Sequence, residues 1–141
     1  MKQFDIAYVD FPVTDEPHIQ YGIRPALIYS NDNANKYSPI IHVIPFTSAK
    51  KKMIPTHILF DEKAARLYGL KKSSTLLAEQ IMPLNKNRVI EIVGHINSQV
   101  IRKRIDECVD VHFGRKLPQK MMFVMGSEVK KSCTQQNICQ A

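Results

Sequence analysis

Up to residue 96 the apolar residues of this chain come in short runs, each cut off by a cluster of turn-forming residues, and only from Asn97 onward does the spacing become helical. Short runs leave no room for a helical bundle and point to a small antiparallel β architecture. Phe4, Ile6 and Tyr8 set against Asp5, Ala7 and Val9 suggest a first strand, closed by Pro12 and by Asp15-Glu16-Pro17 into a loop that runs to Gly22. Residues 24–30 form a second strand, and residues 31–35, rich in Asn and Asp that bond their own backbone, read as a turn. Residues 39–46 are apolar on both faces and should form a central, doubly covered third strand. A basic loop at residues 48–52 and a strand at 56–60 follow, then a short helix over 61–67 with Asp61 as its cap and Gly69 as its stop. Residues 74–81 read as a fifth strand, Pro83 and Asn85 as a turn, and residues 88–93 as a sixth.

From Asn97 the residues Val100, Ile101, Ile105, Cys108 and His112 mark one stripe of a helix, with Arg102, Lys103, Asp106 and Asp110 on its outer faces, Asn97 as cap and Gly114 as stop. The expected fold is therefore mainly β: a small barrel of antiparallel strands flanked or plugged by a C-terminal helix. At 141 residues the chain has the length of one ordinary domain. We expect that domain to fill residues 1–113. Residues 114–141 form an extension whose apolar patch, Met121 to Met125, has two readings: it lies against the barrel or on an edge strand, or the tail is loosely ordered.

Lys and Arg number 20 against 13 Asp and Glu, a formal charge of +7. That excess favours anionic partners, nucleic acid first and an anionic membrane second, with plain solubility as the bland reading. No stretch has the ~18 uncharged apolar residues of a membrane helix, and the first five residues lack a signal-peptide apolar block, so a cytoplasmic protein without a membrane partner is expected. Cys108, Cys133 and Cys139 are odd in number and fit no zinc spacing, and we read them as thiols. The chain contains no Gly-rich phosphate loop, no H-E-x-x-H, no paired-cysteine metal site and no nucleophile elbow. No metal or cofactor is expected.

Polar residues at strand ends remain: Arg24, Thr47, Ser48, Glu79 and Gln80, with Lys50, Lys51 and Lys52 beside them. Strand ends gather at a barrel rim, where an arginine fork and hydroxyl groups suit a phosphodiester. On the residues alone, Arg24 can simply pair with Asp32 or Glu79 at the barrel rim, and Thr47-Ser48 can simply form a turn. Glu79 and Gln80 can be buried partners of backbone groups. His42, His57 and His95 lie within strands as packed or hydrogen-bonded residues, while His18 is the one histidine on a loop that can reach a substrate.

Read in order, Gly22-Ile23-Arg24-Pro25-Ala26-Leu27, Ser30-Asn31-Asp32, Pro45-Phe46-Thr47-Ser48, Pro55-Thr56-His57 and Leu77-Ala78-Glu79-Gln80-Ile81 resemble the MazF/PemK toxins of toxin–antitoxin systems, over roughly residues 5–112. The resemblance implies an SH3-like barrel, a homodimer and a metal-independent endoribonuclease that cuts single-stranded mRNA at short sequences. It places Arg24 and Thr47 at the positions of the family's catalytic arginine and threonine, with Ser48, Lys50, Lys51, Lys52, Gln20, His18 and Gln80 as candidate substrate contacts. In that reading the RNA 2′-hydroxyl attacks the adjacent phosphorus, giving 2′,3′-cyclic phosphate and 5′-hydroxyl ends. It further implies an acidic antitoxin that occupies the RNA groove, with DNA contacted through the complex. The chain departs from the family at residues 13–21, where Gln20 and Gly22 are the only plain echoes of a loop that gates the groove, and at Met82-Pro83, where the family shows R-T. The alternative is a non-catalytic nucleic-acid binder, or a gyrase poison of the related CcdB-like kind on the same barrel.

Overall fold

The computed structural model describes residues 1–117 and 121–132; Cys133 and Cys139 lie outside the described residues. Among the described residues nine strands and three helices follow one another as β1 (Asp5–Phe11), β2 (Gly22–Ile28), α1 (Asp32–Tyr37), β3 (Ile40–Thr47), β4 (His57–Phe60), α2 (Glu62–Leu67), β5 (Ser74–Leu77), β6 (Met82–Asn85), β7 (Val89–His95), α3 (Gln99–His112), β8 (Met121–Met125) and β9 (Glu128–Ser132). Two 3-10 turns, Ala78–Gln80 and Lys86–Arg88, link β5 to β6 and β6 to β7. The strands form one barrel-like sheet in the order β7-β1-β2-β3-β5-β4-β8-β9, with β6 on β3, and it does not close on itself. Every pairing is antiparallel except that of β4 with β8.

Two apolar clusters explain why β1 to β3 are so uniformly hydrophobic. Side chains alternate between faces along a strand, and here both faces are covered. Ile6, Leu27, Ile44 and Phe46 pack on one side with Ile58 and Phe60 of β4, Ala64 and Ala65 of α2, Ile101, Ile105, Cys108 and Val109 of α3, and Val124 of β8. Ala7, Val9, Phe11, Ala26, Ile28, Ile41 and Val43 pack on the other with Leu84 of β6, and Met82 and Val89 lie against them. β3 is central, as its composition suggests, but its first turn of pleat is not doubly covered: Ile40 and His42 are exposed.

Several local expectations are corrected. Residues 31–35 open a helix rather than a turn, because Asn31 accepts from Ala34 N at 2.9 Å and caps α1; an Asn that bonds its own backbone serves either structure. Residues 74–81 are not one strand. Between the pairs Val43↔Met82 and Phe46↔Leu76, two residues of β3 face five of the partner chain, so the surplus bulges out as the turn Ala78–Gln80. Pro83 lies within β6, where it costs little because β6 pairs with β3 alone. Ser98, not Asn97, caps α3, accepting from Ile101 N at 3.3 Å. Val100 and His112 fall off the buried stripe, whereas Val109 and Glu107 lie in it. Arg102 is not on an outer face either: its Nε donates to Ile96 O at 2.6 Å and its guanidinium stands 4.9 Å from the Phe4 ring. Asp61 caps α2 as expected, accepting from Ala64 N at 2.8 Å, and Gly69 follows the helix at φ +84°. No helix of the described residues is long and apolar enough to cross a membrane.

The turn after α2 presses directly on β7. A Cβ built on Gly94 would lie 2.0 Å from Tyr68 O, and one on Gly69 2.2 Å from Val93 O. Both contacts are with backbone, which cannot swing aside. Gly94→Ala should therefore destabilise the fold by about 3 kcal/mol, while Gly114→Ala, at φ +74° with nothing within 4 Å, should cost about 1 kcal/mol. Urea unfolding at unchanged m-value measures both, and equal midpoints for the two variants would contradict this close approach.

Candidate functional site

Arg24 sits two residues into β2, opposite Val9 of β1 and on the face shared with Ala26 and Ile28. The β2–β3 register pairs Ala26 with Pro45; carried two residues further it aligns Arg24 with Thr47. At that point β3 has turned to β5, where Thr47 pairs with Thr75. The two side chains thus stand at the end of the sheet where β2 and β3 part.

Neither Asp32 nor Glu79 takes Arg24. Asp32 accepts from Gln3 N at 2.8 Å, and Glu79 is held by the Thr56 hydroxyl at 2.6 Å and by His57 Nε2 at 2.9 Å. Arg24 instead donates through Nε to Tyr21 O at 3.0 Å and through Nη1 to the side-chain oxygen of Gln20. Gln20 N in turn donates to Gln80 Oε1 at 3.0 Å, and Gln80 Nε2 donates to His18 O at 2.8 Å. The bulge that expels residues 78–80 from the ladder therefore has a purpose: it brings Gln80 to clamp the β1–β2 loop, and the loop orients Arg24. Burial lowers the guanidinium from its ordinary value, with Tyr21 acting in the opposite sense; an arginine remains charged at ordinary pH.

Two adjoining hollows lie at this end of the sheet. One, of about 330 Å³, is lined by Arg24, Tyr8, Phe46, Lys71, Lys72 and Ser74 among others; the second, of about 360 Å³, by Thr47, Ala49, Lys50, Lys51, Ser73 and Thr75 among others. Ser48 borders both. Five cations and no carboxylate line the pair, which favours a polyanion carried across both. Thr47 is buried, with its hydroxyl accepting from Ala49 N at 3.3 Å. Lys52 lines neither hollow, and His18 meets Gln80 through its carbonyl rather than its ring.

Tyr8, Lys71, Lys72 and Ser74 escaped the sequence reading. The available signal was the pair Lys71-Lys72 before Ser73-Ser74-Thr75, which mirrors Thr47-Ser48 before Lys50-Lys51 on the neighbouring antiparallel strand. Cys108 is no nucleophile: burial, with Glu107 and Glu79 nearby, pushes its thiol up to about 12. His42 is exposed rather than packed, His57 is buried on Glu79, and His95 Nδ1 lies 2.7 Å from Asp5. Among the described residues no group of three or more His, Cys, Asp or Glu could hold a metal ion.

Comparison with known proteins adds a family. Residues 2–113 match the model of the PemK-like, MazF-like toxin of type II toxin–antitoxin systems. The chain is 32% identical over 113 residues to endoribonuclease EndoA of Bacillus subtilis, spanning 79% of this chain and 92% of that one. It is 38% identical over 116 residues to endoribonuclease MazF of Staphylococcus saprophyticus, spanning 81% and 92%. Among solved structures, MazF of Deinococcus radiodurans superposes with a TM-score of 0.66 at 21% identity, covering 81% of this chain and 96% of that one. An endoribonuclease from a mycobacterial species in complex with its cognate antitoxin superposes with a TM-score of 0.63 at 19% identity, covering 84% and 99%. β8 and β9 lie beyond the matched residues.

The fold shifts the ionisation of the Glu79 carboxyl. Burial raises the Glu79 carboxyl, but hydrogen bonds from His57 and Thr56 outweigh it, and the net shift is downward. A carboxyl lowered on folding contributes stability above its unfolded value, about 4.3, and loses it as pH falls through the folded value. Glu79→Gln should cost about 2 kcal/mol at neutral pH, a difference from wild type that shrinks below about pH 4. A pH series of urea midpoints measures it; a gap that stays constant into acid would rule out the ionised carboxyl.

Proposed function

The chain belongs to the PemK-like, MazF-like toxin family of type II toxin–antitoxin systems, and on that premise we propose that it is a sequence-selective, metal-independent endoribonuclease acting on single-stranded mRNA. The observation that carries this reading is the half-buried, pre-oriented Arg24 lining one of two cation-lined hollows that share Ser48. A guanidinium held by Gln20 and Tyr21 needs little reorganisation when phosphate charge develops, which is the condition for electrostatic catalysis.

The substrate supplies the nucleophile. The RNA 2′-oxygen bonds to the adjacent phosphorus, its proton passes to solvent, and the bond from phosphorus to the 5′-oxygen breaks. Arg24 balances the charge on the phosphorane and hydrogen-bonds the departing oxygen, which is protonated from solvent. Thr47 donates its hydroxyl hydrogen to a non-bridging oxygen while its own oxygen still accepts from Ala49 N. The products carry 2′,3′-cyclic phosphate and 5′-hydroxyl ends. Ser48, Lys50 and Lys51 carry the strand, while Gln80, Gln20 and the His18 carbonyl act by fixing the loop over it; Lys52 adds only general positive potential.

Partners follow from the same surface. A flexible acidic segment of an antitoxin would be drawn to Arg24, Lys50 and Lys51 and would exclude RNA as it orders. A two-fold dimer would join two such rims into a longer channel, with the exposed Ile90 and Ile92 of edge strand β7 as contact surface. DNA would be met through the antitoxin complex, in the cytoplasm.

Incubating the purified protein with a long single-stranded RNA in EDTA and mapping the new 5′ ends tests the proposal. Sequence-restricted cuts with 5′-hydroxyl ends are expected, and Arg24→Ala should slow them ~10²–10³-fold. Products bearing a 5′-phosphate, or near-normal cleavage by Arg24→Ala, would overturn the mechanism; binding without cuts would favour the non-catalytic alternative. Sedimentation at micromolar concentration should show a dimer. The triple variant Lys50→Glu, Lys51→Glu and Lys52→Glu should weaken RNA and antitoxin together, and unchanged affinity for both would reduce the basic loop to a solvated surface.

A further inference from the structure

The hollow beside Arg24 is larger than an arginine needs to meet one phosphate, and its far side is built from residues the cleavage mechanism does not use. Lys71 and Lys72 stand there on a fixed backbone. Leu70, 3% exposed, anchors the segment, with its N–H donating to Ala65 O at 2.8 Å. The hydroxyl of buried Ser74 donates to Lys72 O at 2.9 Å, and that of Ser73 to Phe60 O at 3.1 Å. The Lys71 ammonium is 5.6 Å from the centre of the Tyr8 ring, a contact that keeps its head over the hollow. Neither lysine makes an ion pair among the described residues. Tyr8, Ile23, Pro25 and Phe46 supply apolar wall, and the volume of about 330 Å³ falls at the lower end of the ~300–1,000 Å³ of small-ligand sites.

Cations on one wall and apolar surface on the other match a nucleotide unit, with its phosphate and its sugar and base. Arg24 itself lines this hollow, and Ser48 lines both it and the one holding Thr47, so a strand that meets Arg24 lies at its edge. We propose that the hollow bounded by Tyr8, Lys71 and Lys72 is the subsite for the nucleotide next to the cut, with the two lysines taking its phosphodiester. The assignment rests on the endoribonuclease reading for its substrate. Lys71 and Lys72 are substrate-positioning residues in it, distinct from the groups that act on the scissile bond.

The test compares wild type with Lys71→Ala/Lys72→Ala. Binding is read by fluorescence anisotropy with a labelled 2′-O-methyl oligoribonucleotide of mixed sequence, which cannot be cut, and cleavage is read in parallel on a long single-stranded RNA. The variant should bind about tenfold more weakly, and its plot of log affinity against log salt should be shallower by ~0.7, the share of one single-strand phosphate contact. KM should rise with kcat changed no more than about twofold, and Lys71→Arg/Lys72→Arg should restore both readings. As cut substrates are trimmed from either end, the gap between wild type and variant should vanish once the phosphate adjacent to the cut is gone. An equal affinity and salt slope overturns the subsite even if RNA is cut normally; a gap that survives trimming overturns its placement. Loss of binding in the variant, from a wild type that cuts no RNA, would leave a single-strand site here and sink the nuclease reading instead.

Discussion

The structure depends on one strand that must pair along both edges and bury both faces. β3 meets β2 on one edge and, on the other, β6 through its first half and β5 through its last two residues. Ile44 and Phe46 feed the core beneath α2 and α3, and Ile41 and Val43 feed the smaller core closed by β6. A strand committed in four directions has little freedom at its end, so Thr47 and Ser48 leave it at a fixed place. Hydrophobic burial on two sides thereby sets the position of polar groups that take no part in it.

The mismatch between β3 and the β5–β6 segment supplies the second constraint. Because five residues face two, Ala78–Gln80 cannot stay in the ladder, and Glu79 and Gln80 are turned toward different tasks. Glu79 ties down Thr56 and His57 at the start of β4. Gln80 reaches the β1–β2 loop and, through Gln20, the guanidinium of Arg24. His57 Nδ1 is buried without a hydrogen-bond partner among the described residues, which makes the carboxylate on its other nitrogen the sole polar anchor of that ring. One irregularity in strand pairing thus connects β4, the β1–β2 loop and the arginine.

The charge pattern of the rim reflects two strands arriving antiparallel. Thr47 pairs with Thr75, so the lysines after β3 and the lysines before β5 are brought to the same end of the sheet. Lys116, by contrast, is neutralised at 3.2 Å by Glu107, which also takes Arg104 at 2.7 Å. Lysines without an ion pair among the described residues line the hollows, whereas Arg104, Arg115 and Lys116 on α3 and just beyond it are paired with Glu107 and Asp110.

Local pattern alone determined a good deal: the β character, the cap of α2 by Asp61, the buried stripe through Ile101, Ile105 and Cys108, and, through the resemblance of the R-P, T-S and E-Q segments, the family. These are short-range properties, fixed by period, by side chains that bond their own backbone, and by residue order. What the sequence could not carry is anything that depends on how many residues face one another across a pair of strands. The bulge at Ala78–Gln80, the strand status of Met82–Asn85 and the parallel docking of β8 on β4 are of this kind. So is the nearness of Lys71 and Lys72 to Arg24, residues far apart in the chain whose meeting is decided only when β3 chooses its neighbours. Arg24 shows the division most simply: its position at a strand end is written in Gly22 and Pro25, but the partners that aim it, Gln20 and Gln80, were assigned by tertiary packing.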